Sequence, residues 1–205
     1  MISDQHQQFK HVPICQLNIS GLSAHSKTSL SHFIYKRGID VLAVQETGSD
    51  CELEVNTFPS MSSFSVLFDR GVSISIAHCY RPKRLAQLEE EGVGIVYAIA
   101  TIGNRPIVLA SCYCSPHPSS TDDISKLLCN IQRAWTFCKN SGIKGMIVLG
   151  DMNARSQKWG DKVQNSRGKV LADFVSKHDF SLTAPSCNTF VSTNGGSIID
   201  VCLAY

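Results

Sequence analysis

Runs of four or more apolar residues recur along the chain, many of them bounded by glycine or polar residues. Such runs are typical of strands buried on both faces of a sheet, whereas apolar residues three and four positions apart indicate one face of a helix. By these patterns we predict helices over residues 26–37, 121–141 and 168–178. We predict strands over residues 12–19, 40–44, 63–68, 72–78, 94–102, 106–114, 146–149, 181–183, 188–191 and 197–204.

The order of these elements predicts the fold class. Each half of the chain contains a strand–helix–strand passage, which implies parallel or mixed pairing, and each half also contains a hairpin. Two mixed sheets packed face to face with helices outside, an α/β sandwich, accommodate this order. The chain of 205 residues suits one large domain, which we assign to residues 12–205, with residues 1–11 as a flexible polar tail.

The strand at residues 146–149 is followed by a glycine and then by Asp151 and Asn153. Residues two apart at the end of a strand point to the same side, so both side chains can project into a cleft beyond the sheet. A carboxylate and a carboxamide at one point can take a proton from water and hold a phosphate oxygen. Asp and Asn are also common turn residues, so an ordinary turn explains the pair equally well.

Other predicted strands also carry polar side chains near their ends, where ligands of α/β folds usually bind. An acid within an apolar strand needs a partner or a cation to offset its desolvation. The carboxylate of Glu46 suits Mg²⁺, which takes one or two carboxylates together with water and phosphate. Asp151 can deprotonate water, while amides and a phenol can bind phosphate oxygens. Together the residues predict a phosphodiester hydrolase. They are Asn18, Glu46, Tyr113, Asp151, Asn153 and Asp200.

The composition indicates the compartment and the partners of the protein. The net charge is only +2, so contact with nucleic acid requires local clusters of basic residues. There are nine cysteines, an odd number without zinc-ligand spacing, which favours an intracellular, reducing compartment with neither disulfides nor structural zinc. No apolar stretch is long enough for a membrane-spanning helix, so we expect no membrane partner.

Short motifs follow one another in the order found in the endonuclease/exonuclease/phosphatase superfamily, which includes apurinic endonucleases. They are Leu17-Asn18-Ile19, Gln45-Glu46-Thr47, Tyr113 with Ser115-Pro116, Gly150-Asp151-Met152-Asn153 and Ile199-Asp200-Val201. A narrower set resembles the endonuclease domain of non-LTR retrotransposons, and the resemblance extends over nearly the whole chain. That set is Trp159-Gly160, Asn165, Arg167-Gly168, Asn188-Thr189-Phe190 and Gly196-Ser197.

The resemblance implies a four-layer α/β sandwich that nicks double-stranded DNA with Mg²⁺, or Mn²⁺ as an alternative. The nick leaves a 3′ hydroxyl from which a reverse transcriptase domain, expected downstream in the same polyprotein, primes synthesis in the nucleus. We expect a monomer for the isolated domain. By position, Glu46 binds the metal, Asp151 activates water, Asp200 orients a histidine and Thr189 lies near the DNA or the rim of the site. The positions that match phosphate-binding residues are Asn18, Tyr113 and Asn153.

The chain departs from the family pattern in two places. The family closes with a Ser-Asp-His strand, whose histidine contacts the scissile phosphate and pairs with the acid matching Asp200, but here no histidine follows Asp200 before Tyr205. Loss of such a histidine typically lowers the rate of the reaction by roughly 10²- to 10⁴-fold. We therefore expect a domain truncated before its final strand, or a degenerate copy, with an unpaired sheet edge and weak or no nicking. The second departure is Ser20, where many members have an acid.

Two other functions fit the same residues. The fold also suits a phosphodiesterase that acts on RNA, a nucleotide or a phospholipid head group. A non-catalytic DNA-binding or assembly module would instead use basic residues on phosphates without cutting. Arg155 and Lys158 follow Asp151 closely and are candidate DNA contacts, whereas the basic residues at 81–84 are more typical of a solvated surface. Binding of a divalent cation through Glu46 distinguishes the catalytic site from a metal-independent module.

Overall fold

The computed structural model describes residues 11–21, 23–48, 58–116, 121–193 and 195–205. Residues 1–10 of the predicted tail, most of the predicted loop between residues 51 and 61, and His117 lie outside these ranges. None of the helices in the described ranges has both the length and the hydrophobicity needed to cross a bilayer. The cysteines within those ranges are free thiols.

The first half of the chain forms a four-stranded mixed sheet. Its elements are β1 (Ile14–Asn18), α1 (Ala24–Arg37), β2 (Val41–Gln45), β3 (Met61–Val66) and β4 (Val72–Ala77). The spatial order is β1, β2, β4, β3, in which only β1 and β2 are parallel. α1 connects these two strands. It begins after Ser23, whose hydroxyl accepts the Ser26 N–H, and it ends at Gly38 with a φ of 61°, a conformation that glycine adopts readily.

The second half forms a six-stranded mixed sheet. Its strands are β5 (Lys83–Arg84), β6 (Ile95–Ile102), β7 (Arg105–Tyr113), β8 (Met146–Asp151), β9 (Ser181–Thr183) and β12 (Asp200–Ala204). The spatial order is β5, β6, β7, β8, β12, β9. α2 (Asp122–Asn140) connects the parallel strands β7 and β8, and the remaining pairs are antiparallel. α3 (Ser166–Lys177) follows β8, and a hairpin of β10 (Phe190–Ser192) and β11 (Gly195–Ser197) precedes β12.

The two sheets pack face to face and the helices cover their outer faces. The layer between the sheets contains Ile74 and Ile76 of β4 against Val96 of β6 and Leu109 of β7. α1 packs on the outer face of the first sheet, while α2 and α3 pack on that of the second. Burial of these apolar faces stabilises the arrangement. The four-layer α/β sandwich expected from the sequence is therefore confirmed.

Several element boundaries differ from the prediction, most of them by one or two residues. The last predicted strand divides into β11 and β12, because the backbone N–H groups of Ile199 and Asp200 turn to the hydroxyl of Thr189. Asp200 is thus the first residue of a strand rather than an interior one. Residues 81–84, where the pattern predicts no strand, contain the short strand β5, which pairs with β6. α3 begins before residue 168, because the side chain of Asn165 caps it by accepting the Gly168 N–H at 2.7 Å.

Candidate active site

Strand ends of both sheets open into one cavity of about 800 Å³. Since β1 and β2 are parallel, and β7 and β8 are parallel, the carboxyl ends of each pair meet at one edge. β12 runs antiparallel to β8, and the register places Asp200 opposite Asp151. The cavity therefore brings together all the strand-end residues selected from the sequence. They are Asn18, Glu46, Tyr113, Asp151, Asn153 and Asp200.

Asn18, the last residue of β1, connects the two acids at the centre of the cavity. Its Nδ2 donates to Oε1 of Glu46 and to Oδ2 of Asp151, each at 2.9 Å. Glu46 belongs to the first sheet and Asp151 to the second, so this amide spans the boundary between the sheets. It holds two carboxylates close together without adding a charge of its own.

Asp151 is almost completely buried at the end of β8, with 2% of its surface exposed. Its Oδ1 accepts the backbone N–H of Asn153 at 2.9 Å. Burial, followed by the neighbouring charge of Asp200, raises the pKa of Asp151 to about 7, although the bonds from Asn153 and Asn18 oppose the rise. A carboxyl group with a pKa near neutrality can accept a proton from water and release it again.

Glu46 follows β2 and has the opposite electrostatic character. Burial alone would raise its pKa, but hydrogen bonds from Asn18 and Arg70 outweigh burial and leave the pKa below its usual range. The Arg70 guanidinium lies 2.7 Å from Oε2 of Glu46. Glu46 has a φ of 55°, a left-handed conformation that is unfavourable for a residue with a side chain. The site thus holds an ionised carboxylate on a strained backbone.

Asn153 also lies in the left-handed region, with a φ of 48°. Its Nδ2 donates to the Cys114 carbonyl at 3.0 Å, and its own carbonyl accepts from Asn165 Nδ2 at 3.0 Å. β8 ends at Asp151, so strand alternation, the reason given for the shared direction of Asp151 and Asn153, does not apply at Asn153. The segment is a turn and also lines the cavity, so the two interpretations of this pair do not exclude each other.

Tyr113 and Asp200 complete the lining from the second sheet. Burial, followed by the charges of Glu46 and Asp151, raises the pKa of Tyr113, so its hydroxyl stays protonated and can donate a hydrogen bond. Burial also raises the pKa of Asp200. Its Oδ1 accepts from Nε2 of Gln16 at 2.6 Å. The family resemblance implies a histidine as the partner of this acid, whereas in the described part of the chain Gln16 donates to it.

Of the three predicted DNA contacts, one lines the cavity and two do not. The described residues that line the cavity include Thr189 but neither Arg155 nor Lys158. The Arg155 guanidinium pairs with buried Asp161 at 3.1 Å and lines a neighbouring groove. Lys158 is exposed in a short 3₁₀ helix, Gln157–Trp159.

Sequence reasoning missed Gln16 and Arg70 as parts of the site. Gln16 lies in the middle of β1, where an amide gives no distinctive signal. Arg70 lies in the hairpin turn between β3 and β4, where an arginine is an ordinary solvated residue. Gln16 bonds to Asp200 and Arg70 bonds to Glu46, and both pairs are far apart in the sequence. A local sequence pattern therefore could not reveal either contact.

The side-chain oxygen atoms around the cavity are ligands of the type that suits a hard divalent cation. Within the described ranges, no group of three or more His, Cys, Asp or Glu side chains is arranged to hold a metal ion. Mg²⁺ needs no such cage, because it keeps several waters and accepts substrate phosphate as a ligand. Glu46, with the oxygen atoms of Asn18 and Asp151 nearby, supplies ligands of the type that Mg²⁺ prefers. Softer metals prefer sulfur or imidazole ligands.

Two packed mixed sheets with carboxylate and amide side chains at their shared edge form the arrangement expected of an α/β sandwich hydrolase. Residues 107–205 match the family model described as endonuclease-reverse transcriptase. Together with the motifs and the fold, this match supports assignment of the chain to the endonuclease branch of the endonuclease/exonuclease/phosphatase superfamily. The recognition made from the sequence is confirmed, and a nuclease or phosphodiesterase function is supported.

Solved structures agree with this assignment at the level of the fold. The endonuclease domain of TRAS1, a telomere-specific non-LTR retrotransposon, is 21% identical with a TM-score of 0.75, covering 94% of this chain and 84% of that one. An AP endonuclease from Archaeoglobus fulgidus is 14% identical with a TM-score of 0.65, covering 95% and 86%. The human Nocturnin catalytic domain is 11% identical with a TM-score of 0.63, covering 94% and 82%. No curated protein sequence matched the chain.

Proposed function

We propose that this chain is a Mg²⁺-dependent DNA endonuclease that hydrolyses one phosphodiester bond of duplex DNA and leaves a 3′ hydroxyl. In a retrotransposon polyprotein that hydroxyl would prime a reverse transcriptase domain. The observation that carries the proposal is the contact between the two sheets at Asn18, whose Nδ2 lies 2.9 Å from both Glu46 and Asp151. One amide thereby places an ionised metal-binding acid beside an acid with a pKa near 7.

The proposed chemistry assigns one task to each side chain. Glu46 would hold Mg²⁺, which when bound would offset negative charge that develops on the phosphate and the leaving oxygen. Asp151 takes a proton from the attacking water, because its pKa near neutrality suits a general base. The protonated hydroxyl of Tyr113 donates to a phosphate oxygen. Asn18 and Asn153 provide further neutral contacts with the phosphate, which add no repulsion to an anionic substrate.

The outer residues position the substrate in this proposal. Thr189, at the cavity rim, fixes the start of β12 and with it Asp200. Asp200 holds Gln16 and raises the pKa of Asp151 through its charge. Exposed Lys158 can contact a DNA phosphate directly. Arg155 would contribute less, because its ion pair with Asp161 already compensates much of its charge.

Nicking of supercoiled plasmid tests the proposal. The chain should convert supercoiled DNA to open circles with Mg²⁺ at a low rate, and a chelator should abolish the reaction. Asp151→Asn should lower the rate by roughly 10²-fold or more, since it removes the proton acceptor. Glu46→Gln should raise the Mg²⁺ concentration needed for half-maximal rate. Asp173→Asn, an exposed acid on α3, is the matched control and should nick like the wild type.

The product and the substrate range decide between related functions. A 3′ hydroxyl allows a DNA polymerase to extend the nick directly, whereas a 3′ phosphate prevents extension. Nicking that survives Asp151→Asn would contradict the proposal. Cleavage of RNA or of a small phosphate ester in preference to DNA would favour another phosphodiesterase of the superfamily. DNA binding that needs no divalent cation and leads to no cleavage would favour a binding module.

A further inference from the structure

The cavity is strongly acidic, which creates a problem for an anionic substrate. Five carboxyl side chains line it, and they are Glu46, Asp69, Asp123, Asp151 and Asp200. Among the described lining residues, Arg70 alone is basic. A phosphodiester that enters this cavity is repelled unless positive charge accompanies it. Arg70 is therefore the part of the described lining that can attract the substrate, yet its guanidinium is bound to Glu46.

The pairing of Arg70 occupies the acid to which we assign the metal. Nη1 of Arg70 lies 2.7 Å from Oε2 of Glu46, while Asn18 donates to Oε1 at 2.9 Å. Both carboxylate oxygens are thus engaged. A divalent cation that binds Glu46 through Oε2 must displace the guanidinium. The Arg70 side chain is 61% exposed and that of Glu46 is 13% exposed. Water therefore solvates the guanidinium when it leaves, and an ion pair with such an exposed member is weak enough to exchange.

The backbone around Arg70 is fixed although its side chain is exposed. The carbonyl of Arg70 accepts the Gly48 N–H at 2.7 Å, and the carbonyl of Gly71 accepts the Thr47 N–H at 3.3 Å. Gly71 has a φ of 81°, and a Cβ there would lie 2.3 Å from Oγ1 of Thr47, so the turn can approach this segment closely only with glycine. The hairpin turn therefore stays beside Glu46 when the guanidinium leaves it.

We propose that Arg70 has two alternative partners, Glu46 before a divalent cation binds and a substrate phosphate oxygen afterwards. This inference rests on the proposed function. In the first state the guanidinium is the counter-ion of Glu46. In the second state the cation replaces it there, and the released guanidinium, still tethered at the cavity rim, donates to a phosphate oxygen with the planar geometry that suits arginine. No covalent bond is made or broken in this exchange.

The first test measures metal binding without DNA, by electron paramagnetic resonance with Mn²⁺ as the probe. Arg70→Met removes the competing cation and should tighten Mn²⁺ binding by about two- to five-fold, the range expected for an exposed ion pair. Arg70→Lys keeps a competing charge and should bind Mn²⁺ nearly as the wild type does. Arg105→Met is the matched control. Arg105 is the first residue of β7 and Tyr113 is the last, so Arg105 lies at the far end of the strand from the cavity.

The second test measures duplex DNA binding in the Asp151→Asn background, where cleavage is suppressed. With Mn²⁺ present, adding Arg70→Met should weaken binding by roughly ten-fold or more and should reduce the salt slope by about one. Without Mn²⁺ the same substitution should change binding much less, because Arg70 is then held by Glu46. Adding Arg105→Met should have no metal-dependent effect.

The outcomes separate this inference from the proposed function. Unchanged Mn²⁺ affinity in Arg70→Met would overturn the competition with metal. Tighter Mn²⁺ binding with unaltered DNA affinity would overturn the phosphate contact and leave Arg70 as a counter-ion only. In either case, wild-type nicking with Mg²⁺ would leave the proposed function standing. Absence of both Mn²⁺ binding and nicking in the wild type would instead refute the proposed function itself.

Discussion

The Asp151 side chain illustrates how a single residue relates stability to function in this site. Its pKa of about 7 in the folded chain lies well above the ordinary value of 3.8, chiefly because burial disfavours the charge. Between these two values the folded state keeps a proton that the unfolded state has lost, so stability falls as the pH rises through this range. The full penalty above pH 7 has an upper bound of about 4 kcal/mol, at about 1.4 kcal/mol for each pH unit.

We therefore predict that Asp151→Asn stabilises the metal-free chain at pH 8 while it abolishes nicking. The expected gain in unfolding free energy is about 1–3 kcal/mol, because loss of one hydrogen-bond acceptor offsets part of the relieved charge. At pH 5 the wild-type carboxyl is already protonated, and the two proteins should differ little. Urea unfolding with a chelator at both pH values measures this. Asp173→Asn should show no such pH-dependent gain, and a less stable Asp151→Asn protein at pH 8 would contradict the prediction.

At the same scale, the sequence revealed the acids and amides of the site but not their partners. Asn18, Glu46 and Asp151 could be selected because each lies at or near the end of a predicted strand. Gln16 and Arg70 carry no such signal, because their hydrogen bonds to Asp200 and Glu46 connect separate strands and a turn. Side-chain pairing across sheets depends on register, and register is set by the whole fold.

The N-terminus of α3 is the element that fixes the turn after β8. Asn165 accepts the N–H of Gly168 and of Arg155 through Oδ1, and it donates through Nδ2 to the carbonyl of Asn153. Gly168 permits the close contact, because a Cβ there would lie 1.8 Å from the carbonyl oxygen of Arg155. The helix cap and the turn after β8 therefore form one hydrogen-bonded unit. The sequence indicated this helix, but a cap shared with the preceding turn could not be inferred from apolar spacing.

We predict that Asn165→Ala destabilises the chain by about 1–2 kcal/mol and lowers the nicking rate more than loss of a cap elsewhere. The stability loss follows from the missing cap, and the rate loss follows because Asn153 is released from α3. Ser23→Ala provides the control, since Ser23 caps α1 on the outer face of the first sheet. Thermal unfolding and nicking rates of both variants measure the two effects separately. Equal nicking by both variants would show that α3 does not position the turn.

For the whole molecule, the site exists only where the two sheets meet. Asn18 and Glu46 come from the first sheet, whereas Tyr113 and Asp151 come from the second, so any shift between the sheets separates them. Beneath the cavity, Gln45 Nε2 donates to the Ser111 hydroxyl at 2.9 Å across the buried layer. Gln45 directly precedes Glu46, and Ser111 lies two residues before Tyr113 on β7. This hydrogen bond therefore ties the segment that carries Glu46 to the strand that carries Tyr113.

A double-mutant cycle tests whether this bond aligns the sheets or only fills the core. Ser111→Ala should destabilise the chain by about 1–3 kcal/mol, because it leaves the buried Gln45 amide without its acceptor. Adding Gln45→Met should restore stability to the wild-type value or above, since Oε1 of Gln45 already lacks a partner among the described atoms. The double variant should still nick more slowly, because the hydrogen bond that ties the strand preceding Glu46 to β7 is then absent. Unfolding and nicking measurements give both readouts, and wild-type nicking by the double variant would show that apolar packing alone aligns the two halves of the site.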